Sequence, residues 1–223
     1  MRPLLFLFLF ACTVVPGGCA LGGDGPETAL HQVDQSRAER IVLHLDDFGA
    51  GWGTEPREEE EGGVANDACF RPSLSGLTLN GDTQSDYFGR DTRFAFAMAS
   101  VFETPADAQA AFDKLSERDV AECLADSVRE GIEGGAEEQN EEATTRTTSL
   151  DELELGSFGE RSIAYRARIE IMTGGATVPT VVDVGLVQRE RALALVGYAS
   201  LFKAFPRDEE VSLTQALASR MDP

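Results

Sequence analysis

Few residues of this chain could carry covalent chemistry. They are four cysteines and two histidines in a chain of 223 residues: Cys12, Cys19, Cys69, Cys123, His31 and His44. A catalytic thiol needs a neighbouring base, and neither histidine lies in the sequence context of a cysteine hydrolase. The chain also lacks the Gly-x-Ser-x-Gly, His-Glu-x-x-His and Gly-x-x-x-x-Gly-Lys-Ser/Thr motifs. The sequence therefore predicts a non-enzymatic protein, with no catalytic residue, cofactor or metal site.

Carboxylates are the other abundant reactive groups. The run of four glutamates at 58–61 carries one sign of charge and cannot bury itself, so it predicts a solvated loop. Calcium binding there is an alternative, although the Asp-rich spacing of a calcium loop is absent. Hydrolysis of a glycoside would need two carboxylates at a defined separation, which sequence spacing does not establish. An envelope hydrolase with paired carboxylates therefore remains an alternative function.

The first residues have the pattern of an export signal. Arg2 supplies a positive charge, and Leu4 to Val15 is apolar except for Cys12 and Thr13. The apolar run holds about a dozen residues, whereas a membrane-spanning helix needs about 20. We therefore predict a cleaved signal peptide over residues 1–18.

The end of this segment, Val15-Pro16-Gly17-Gly18-Cys19, resembles the lipobox of bacterial lipoproteins. The resemblance implies a diacylglycerol thioether on Cys19, a flexible lipid-attached tether over residues 19–40, and anchoring at the extracytoplasmic face of the cell membrane. Leu9-Phe10-Ala11-Cys12 is a competing site. We favour Cys19 because the Gly-rich residues after it suit a tether, whereas cleavage before Cys12 would shorten the apolar run. Modification of Cys12 and free secretion remain alternatives.

The two remaining cysteines, Cys69 and Cys123, predict one disulfide. An exported chain meets an oxidising compartment, where such a pair is oxidised. Closing a loop of about 55 residues would stabilise the fold by about 4 kcal/mol in the chain-entropy model. Two buried free thiols are the alternative.

The charge balance restricts the partners of the chain. It has 19 basic and 39 acidic residues, a formal net charge of −20. Nucleic acid binding depends on Lys and Arg at the phosphates, so this composition is unfavourable for it. Adsorption to anionic headgroups is unfavourable for the same reason. A lipid on the N-terminal cysteine would thus carry the membrane attachment alone.

Hydrophobic periodicity predicts strands and helices in one domain, residues 41–223. Arg93 to Glu103 alternates large and small apolar residues, which is typical of a strand, and Asn80-Gly81 predicts a hairpin turn. Thr104-Pro105 begins a helix. The acidic stretch 133–148 predicts a mobile surface loop. Three antiparallel strands and a final amphipathic helix follow it.

Three short motifs resemble the extracellular sensor domain of mycobacterial-type Ser/Thr kinases and other actinobacterial envelope lipoproteins. They are Leu43-x-Leu45-Asp46-Asp47-Phe48-x-x-Gly51-Trp52, Phe102-Glu103-Thr104-Pro105-x-Asp107-Ala108 and Phe158-Gly159-Glu160-Arg161-Ser162-Ile163-Ala164-Tyr165. The resemblance implies an α+β fold, with a curved antiparallel sheet of about five to seven strands flanked by two to four helices. It also implies a cleft for a ligand. This chain has no kinase domain, so a signalling role does not transfer.

The sequence favours a ligand-binding or sensing module of the cell envelope. Its partners would be the membrane, through the N-terminal lipid, together with a small molecule, an envelope component or a partner protein. A carrier of a lipid or apolar molecule is an alternative, because the Phe residues of the strand at 93–103 could line a cavity. Such a carrier needs an apolar cavity of several hundred Å³.

Overall fold

The structure is a computed structural model, and it describes residues 26–55, 69–138 and 143–222. The helices are α1 (Pro26–Ile41), α2 (Arg71–Leu74), α3 (Pro105–Leu115), α4 (Arg118–Glu138) and α5 (Arg207–Ser219), with a 3-10 turn at Leu45–Asp47. The strands are β1 (Gly53–Glu55), β2 (Leu79–Gln84), β3 (Tyr87–Arg90), β4 (Arg93–Phe102), β5 (Ala143–Glu152), β6 (Arg161–Thr173), β7 (Ala176–Arg189) and β8 (Ala192–Leu201).

All eight described strands belong to one antiparallel sheet. Its order is β1-β3-β4-β8-β7-β6-β5, and β2 pairs with β4 next to β3. The predicted α+β class is confirmed. The described residues form eight strands and five helices when the three-residue β1 and the one-turn α2 are counted. Within that part of the chain, no helix is both long enough and apolar enough to span a membrane.

The predicted antiparallel meander is confirmed as β6, β7 and β8. Gly174 and Gly175 both have positive φ, and they close the turn between β6 and β7. The turn between β7 and β8 uses Glu190, with φ of 50°. Such short connections force neighbouring strands to run in opposite directions.

Helices cover both faces of the sheet at β4. Ala95, Ala97 and Ala99 pack in a cluster with residues of α1 and α5, and Met98 packs on the other face with residues of α3. Small alanines allow α1 to approach closely. On the face of β4 that carries the large side chains, Phe102 is fully buried, whereas Phe94 at the other end is 46% exposed.

The tether predicted over residues 19–40 is wrong from Pro26 onward, because Pro26–Ile41 forms helix α1. Ala38 and Ile41 are fully buried. Asp34 is also buried, and it accepts hydrogen bonds from Arg191 at 2.8 and 2.9 Å. A helix that docks through an ion pair has a weak apolar stripe, so its sequence resembles a polar linker.

The hairpin turn predicted at Asn80-Gly81 is also wrong. Both residues lie inside β2, where the pairing with β4 shifts register between Leu79 and Gly81. A Cβ atom on Gly81 would lie 2.4 Å from the carbonyl oxygen of Asp34. Gly81 is therefore required by the close approach of α1 and not by a turn.

The predicted loop at 133–148 is replaced by the end of α4 and the start of β5. Thr-rich sequence favours an extended chain, and the pairing of β5 with β6 supplies the partner that a sequence pattern does not reveal. Residues 1–25, 56–68 and 139–142 lie outside the described residues. The predictions for the signal peptide, Cys12, Cys19 and the glutamate run at 58–61 all fall there.

Candidate functional site

The structure joins Cys69 to Cys123, as predicted. The Sγ atoms are 2.07 Å apart and the Cα atoms 5.7 Å apart, across a sequence separation of 54. Ser127 Oγ lies 3.3 Å from the Cys69 Sγ atom. The bridge links the chain before α2 to the inward face of α4, so it holds a helix against the sheet and takes no part in a site.

A row of polar side chains crosses the sheet under α5. Register places Tyr198 of β8 opposite Asp183 of β7, and Asp183 opposite Arg166 of β6. Residues that pair across antiparallel strands project from the same face. Helix α5 crosses this face and brings Glu210 beside them, so residues from four elements meet at one point.

Arg166 binds Asp183 with both arms of its guanidinium. Its Nε and Nη2 atoms each donate a hydrogen bond of 2.6 Å to Asp183, one to each carboxylate oxygen. The carboxyl group of Glu210 has only distant charged partners. Its Oε1 lies 3.8 Å from Arg166 Nη2 and its Oε2 lies 3.7 Å from Arg207 Nη1. Neither Glu210 oxygen accepts a hydrogen bond from a described residue.

Glu210 is protonated at neutral pH. Burial raises the pKa of its carboxyl to about 9, and the negative charge of the neighbouring Asp183 acts in the same direction. The charges of Arg166 and Arg207 oppose the shift and do not cancel it. The arrangement is therefore a buried neutral carboxyl, Glu210, next to an Asp183–Arg166 ion pair.

Tyr198 and Thr214 fix the backbone of Glu210. The Tyr198 hydroxyl donates to the Glu210 carbonyl oxygen at 3.1 Å, and the Thr214 hydroxyl donates to the same oxygen at 2.8 Å. The two hydroxyl oxygens are 2.9 Å apart. Burial raises the pKa of the Tyr198 hydroxyl, so it stays a neutral donor. The acid pair thus has a rigid backbone support.

An open cleft of about 330 Å³ adjoins this group. Its walls are the segment between β5 and β6, the middle of β6 and β7, and Thr214 of α5: Glu152, Leu153, Glu154, Leu155, Gly156, Ser157, Phe158, Ser162, Ile163, Ala164, Gly185, Leu186, Val187 and Thr214. Its volume falls within the range of about 300–1,000 Å³ that is usual for small-molecule sites. Thr214 lines the cleft and donates a hydrogen bond to the backbone carbonyl of Glu210, so it connects the cleft with the buried acid pair.

The outer wall of the cleft is held by its own hydrogen bonds. Leu153 N–H donates to the Ala164 carbonyl oxygen at 2.8 Å, and Phe158 N–H donates to Ser162 Oγ at 3.2 Å. Ser162 in turn donates to the Gly156 carbonyl oxygen at 3.1 Å. The wall is therefore part of the fold, and its shape does not need a ligand.

A second cavity lies on the opposite face of the sheet, between the sheet and α4. It is lined almost entirely by apolar side chains, including Phe96, Leu124 and Val184, and its volume is about 60 Å³. This is far below the several hundred Å³ that a lipid carrier requires. The structure therefore gives no support to the carrier alternative.

The buried acid pair does not resemble a hydrolase site. Asp183 and Glu210 are both completely buried, and Arg166 occupies both oxygens of Asp183. A catalytic carboxyl must face the substrate, which these do not. No group of three or more potential metal ligands occurs in residues 26–55, 69–138 and 143–222. Of the two histidines, His31 and His44 both lie exposed, away from the acid pair.

Sequence reasoning missed Asp183 and Glu210. A signal for Asp183 existed, because it is a single charge within the apolar run from Val181 to Val187. A charge inside such a run indicates a buried ion that needs a partner. Glu210 had no comparable signal, since acidic residues are common in the first turn of any helix.

No protein-family model matches the chain, and comparison with curated proteins gives no match. The fold is similar to the extracellular domain of PknH from Mycobacterium tuberculosis, with 8% identity, a TM-score of 0.45, and coverage of 84% of this chain and 95% of that chain. It is also similar to an uncharacterised Mycobacterium smegmatis protein, the Rv0999 ortholog, with 10% identity, a TM-score of 0.40, and coverage of 84% and 96%. Likeness at this level says nothing about activity, ligand or partner.

Proposed function

We propose that this chain is an exported, lipid-anchored and non-enzymatic module that binds or senses a small polar ligand in the cell envelope. The observation that carries the proposal is the cleft of about 330 Å³ with Thr214 in its wall. A ligand in the cleft would contact a side chain that is hydrogen-bonded to the backbone of Glu210. Occupancy of the cleft would thereby act on the part of α5 that carries the neutral Glu210 carboxyl.

The lining of the cleft indicates the class of ligand. Glu152 and Glu154 are exposed in its wall, and Ser157 and Ser162 add hydroxyl groups, whereas its floor is formed by Ala164 and Gly185. Carboxylates and hydroxyls bind amines and sugar hydroxyls, and small floor residues leave room for a ring. We therefore expect an amine-bearing or hydroxyl-rich molecule of the envelope.

The compartment is argued from the leader and from the disulfide. The pattern of residues 1–18 is that of a signal peptide, and Cys19 follows directly. A pair of cysteines that forms a bridge is typical of a protein outside the cytoplasm. These two features support one localisation, the extracytoplasmic face of the cell membrane.

Ligand binding is tested with protein purified from the envelope. Native mass spectrometry should reveal a bound small molecule, and the Ser157→Trp variant, which fills the cleft, should lose it. The matched control is Ser219→Trp, an exposed serine on α5 that does not line the cleft. Absence of any ligand, together with absence of a crosslinked partner in cells, would contradict the proposal.

Anchoring is tested separately by the intact mass of the mature protein. We expect a diacylglycerol on Cys19, and the Cys19→Ala variant should leave the membrane fraction, whereas Cys12→Ala should behave as the parent protein. A native chain that begins at Met1, or that carries an unmodified Cys19 in the cytosol, would contradict this part.

A further inference from the structure

The N-terminal half of α1 carries two exposed aliphatic side chains. Leu30 is 58% exposed and Val33 is 63% exposed, and they are separated by three positions, so they lie close together on the helix. The second half of the helix is docked through Asp34, Ala38 and Ile41, which are buried. The first half therefore presents a small apolar surface beside the body of the domain.

Three exposed residues that lie beside this surface are uncharged. Exposed neighbours on the same helix are His31, Gln32 and Ser36, and the acidic Asp34 is buried against Arg191. Both Nδ1 of His31 and Nε2 of Gln35 contact backbone oxygens of β2, at 3.3 and 3.2 Å. Such a surface is unusual in a chain with a formal net charge of −20.

Three ion pairs lie at this end of the domain. Arg191 binds Asp34 at 2.8 Å, Arg189 binds Asp222 at 2.9 Å, and Arg37 lies 4.0 Å from Glu190. Each pair is neutral as a whole. These pairs therefore add no net negative charge that would repel an anionic bilayer.

The length of the chain before α1 limits where this surface lies. Seven peptide steps separate Cys19 from Pro26. Each step spans at most about 3.6 Å, so the start of α1 stays within about 25 Å of an acylated Cys19. A lipid on Cys19 would thus hold the start of α1, and the exposed Leu30 and Val33 that follow it, close to the membrane.

We propose that the N-terminal half of α1 lies against the outer surface of the cell membrane, with Leu30 and Val33 inserted among the lipid headgroups. The lipid on Cys19 supplies the attachment, and this contact sets the orientation of the domain on the bilayer. The inference rests on the lipid anchoring argued under the proposed function.

The test uses the lipidated protein in vesicles of phosphatidylcholine and phosphatidylglycerol that contain brominated phosphatidylcholine, a tryptophan quencher. The Val33→Trp variant is compared with Phe202→Trp, because Phe202 is also 63% exposed. Phe202 follows the end of β8, and Arg191 precedes its start. The ten residues of β8 therefore place Phe202 about 30 Å from Arg191, which binds Asp34 of α1. The parent protein, whose single tryptophan is Trp52, gives the baseline fluorescence and quenching.

We expect the new fluorescence of Val33→Trp to be quenched at least twofold more than that of Phe202→Trp, and Leu30→Trp should repeat the result. Equal quenching, in protein whose mass shows an acylated Cys19, overturns this inference and leaves the proposed function standing. A blue-shifted but unquenched emission also overturns it, because another protein surface would then cover α1. If the mass shows no acylation of Cys19, both the membrane contact of α1 and the lipid anchoring are refuted.

Discussion

Asp34 and Glu210 are buried to the same extent, yet they hold opposite protonation. Asp34 is 1% exposed and Glu210 is 0% exposed. Asp34 accepts hydrogen bonds from Arg191 and Asn80, and these outweigh the effect of burial, so the pKa of its carboxyl is lowered. Glu210 accepts none from a described residue and faces a second carboxylate, so its pKa is raised. Burial alone does not set the charge of a carboxyl; the donors around it do.

The two sites also differ in what they do in the fold. The Asp34 site joins α1 to the turn between β7 and β8, and it is a fixed ion pair. The Glu210 site lies beneath α5 and beside the cleft, and its carboxyl has no hydrogen-bond partner among the described residues. The first joins α1 to the sheet through charges, whereas the second places a neutral carboxyl under α5.

The largest effect should come from removing the donor at the Asp34 site. The Arg191→Met variant leaves a buried carboxylate without its main partner, so we expect a loss of about 3–5 kcal/mol in the free energy of unfolding at pH 7. Urea denaturation measures it. Adding Asp34→Asn should recover part of the loss, because a neutral amide needs no counter-ion. A loss below about 1 kcal/mol would show that the pair does not hold α1.

The second effect is the pH dependence that Glu210 imposes. Its pKa rises from 4.5 to about 9 on folding, so between these values the folded chain binds one more proton than the unfolded chain. Stability contributed by this group is therefore fully present at low pH and is lost as pH rises, by up to about 1.4 kcal/mol per pH unit.

The Glu210→Gln variant tests this dependence. We expect its thermal midpoint to change less between pH 5 and pH 8 than that of the parent, and to exceed the parent's at pH 8. Glu103→Gln, a substitution at an exposed position, serves as the control and should keep the parental slope. Parallel slopes for the parent and Glu210→Gln would mean that Glu210 does not hold the proton.

The third effect concerns the close approach that brings Asp34 to its partners. In Gly81→Ala the new Cβ would meet the Asp34 carbonyl at 2.4 Å, and α1 would have to move. We expect a loss of about 1–3 kcal/mol, which is typical of overpacking. At Gly49 an added Cβ meets no described atom within 4 Å, so Gly49→Ala should change stability by less than about 0.5 kcal/mol in the same urea titration. Equal losses of stability in Gly81→Ala and Gly49→Ala would contradict the inference that the close approach of α1 requires a glycine at position 81.

The smallest effect is expected at acidic pH and comes from Asp34. Its contribution to stability falls as pH falls, whereas that of Glu210 falls as pH rises. The lowered pKa of Asp34 contributes stability that is present above its ordinary value of 3.8 and is lost as pH falls through the lowered value. The Asp34→Asn variant should therefore lose less stability than the parent between pH 4 and pH 2.5. Circular dichroism melts over that interval would measure the difference, and a steeper decline for the variant would contradict it.

Much of the architecture was predictable because it depends on local periodicity. The alternation in β6 and β7, the Thr104-Pro105 start of α3 and the cysteine pairing are short-range or compositional features, and the structure contains each of them. The failures share one cause. Helix α1, the Thr-rich strand β5 and the glycine at position 81 depend on a partner distant in sequence, so their local patterns resembled a tether, a loop and a turn.

The sequence by itself determined the class of the fold, the pattern of an export leader and the strong acidity of the chain, because these follow from composition and from periods of two and 3.6 residues. Only the tertiary structure decided that Arg166, Asp183 and Glu210 meet, since strand register and the crossing of α5 bring them together. Free energies of buried charges depend on distances of a few ångströms. Sequence separation does not encode such distances, so the candidate site became visible only in the folded chain.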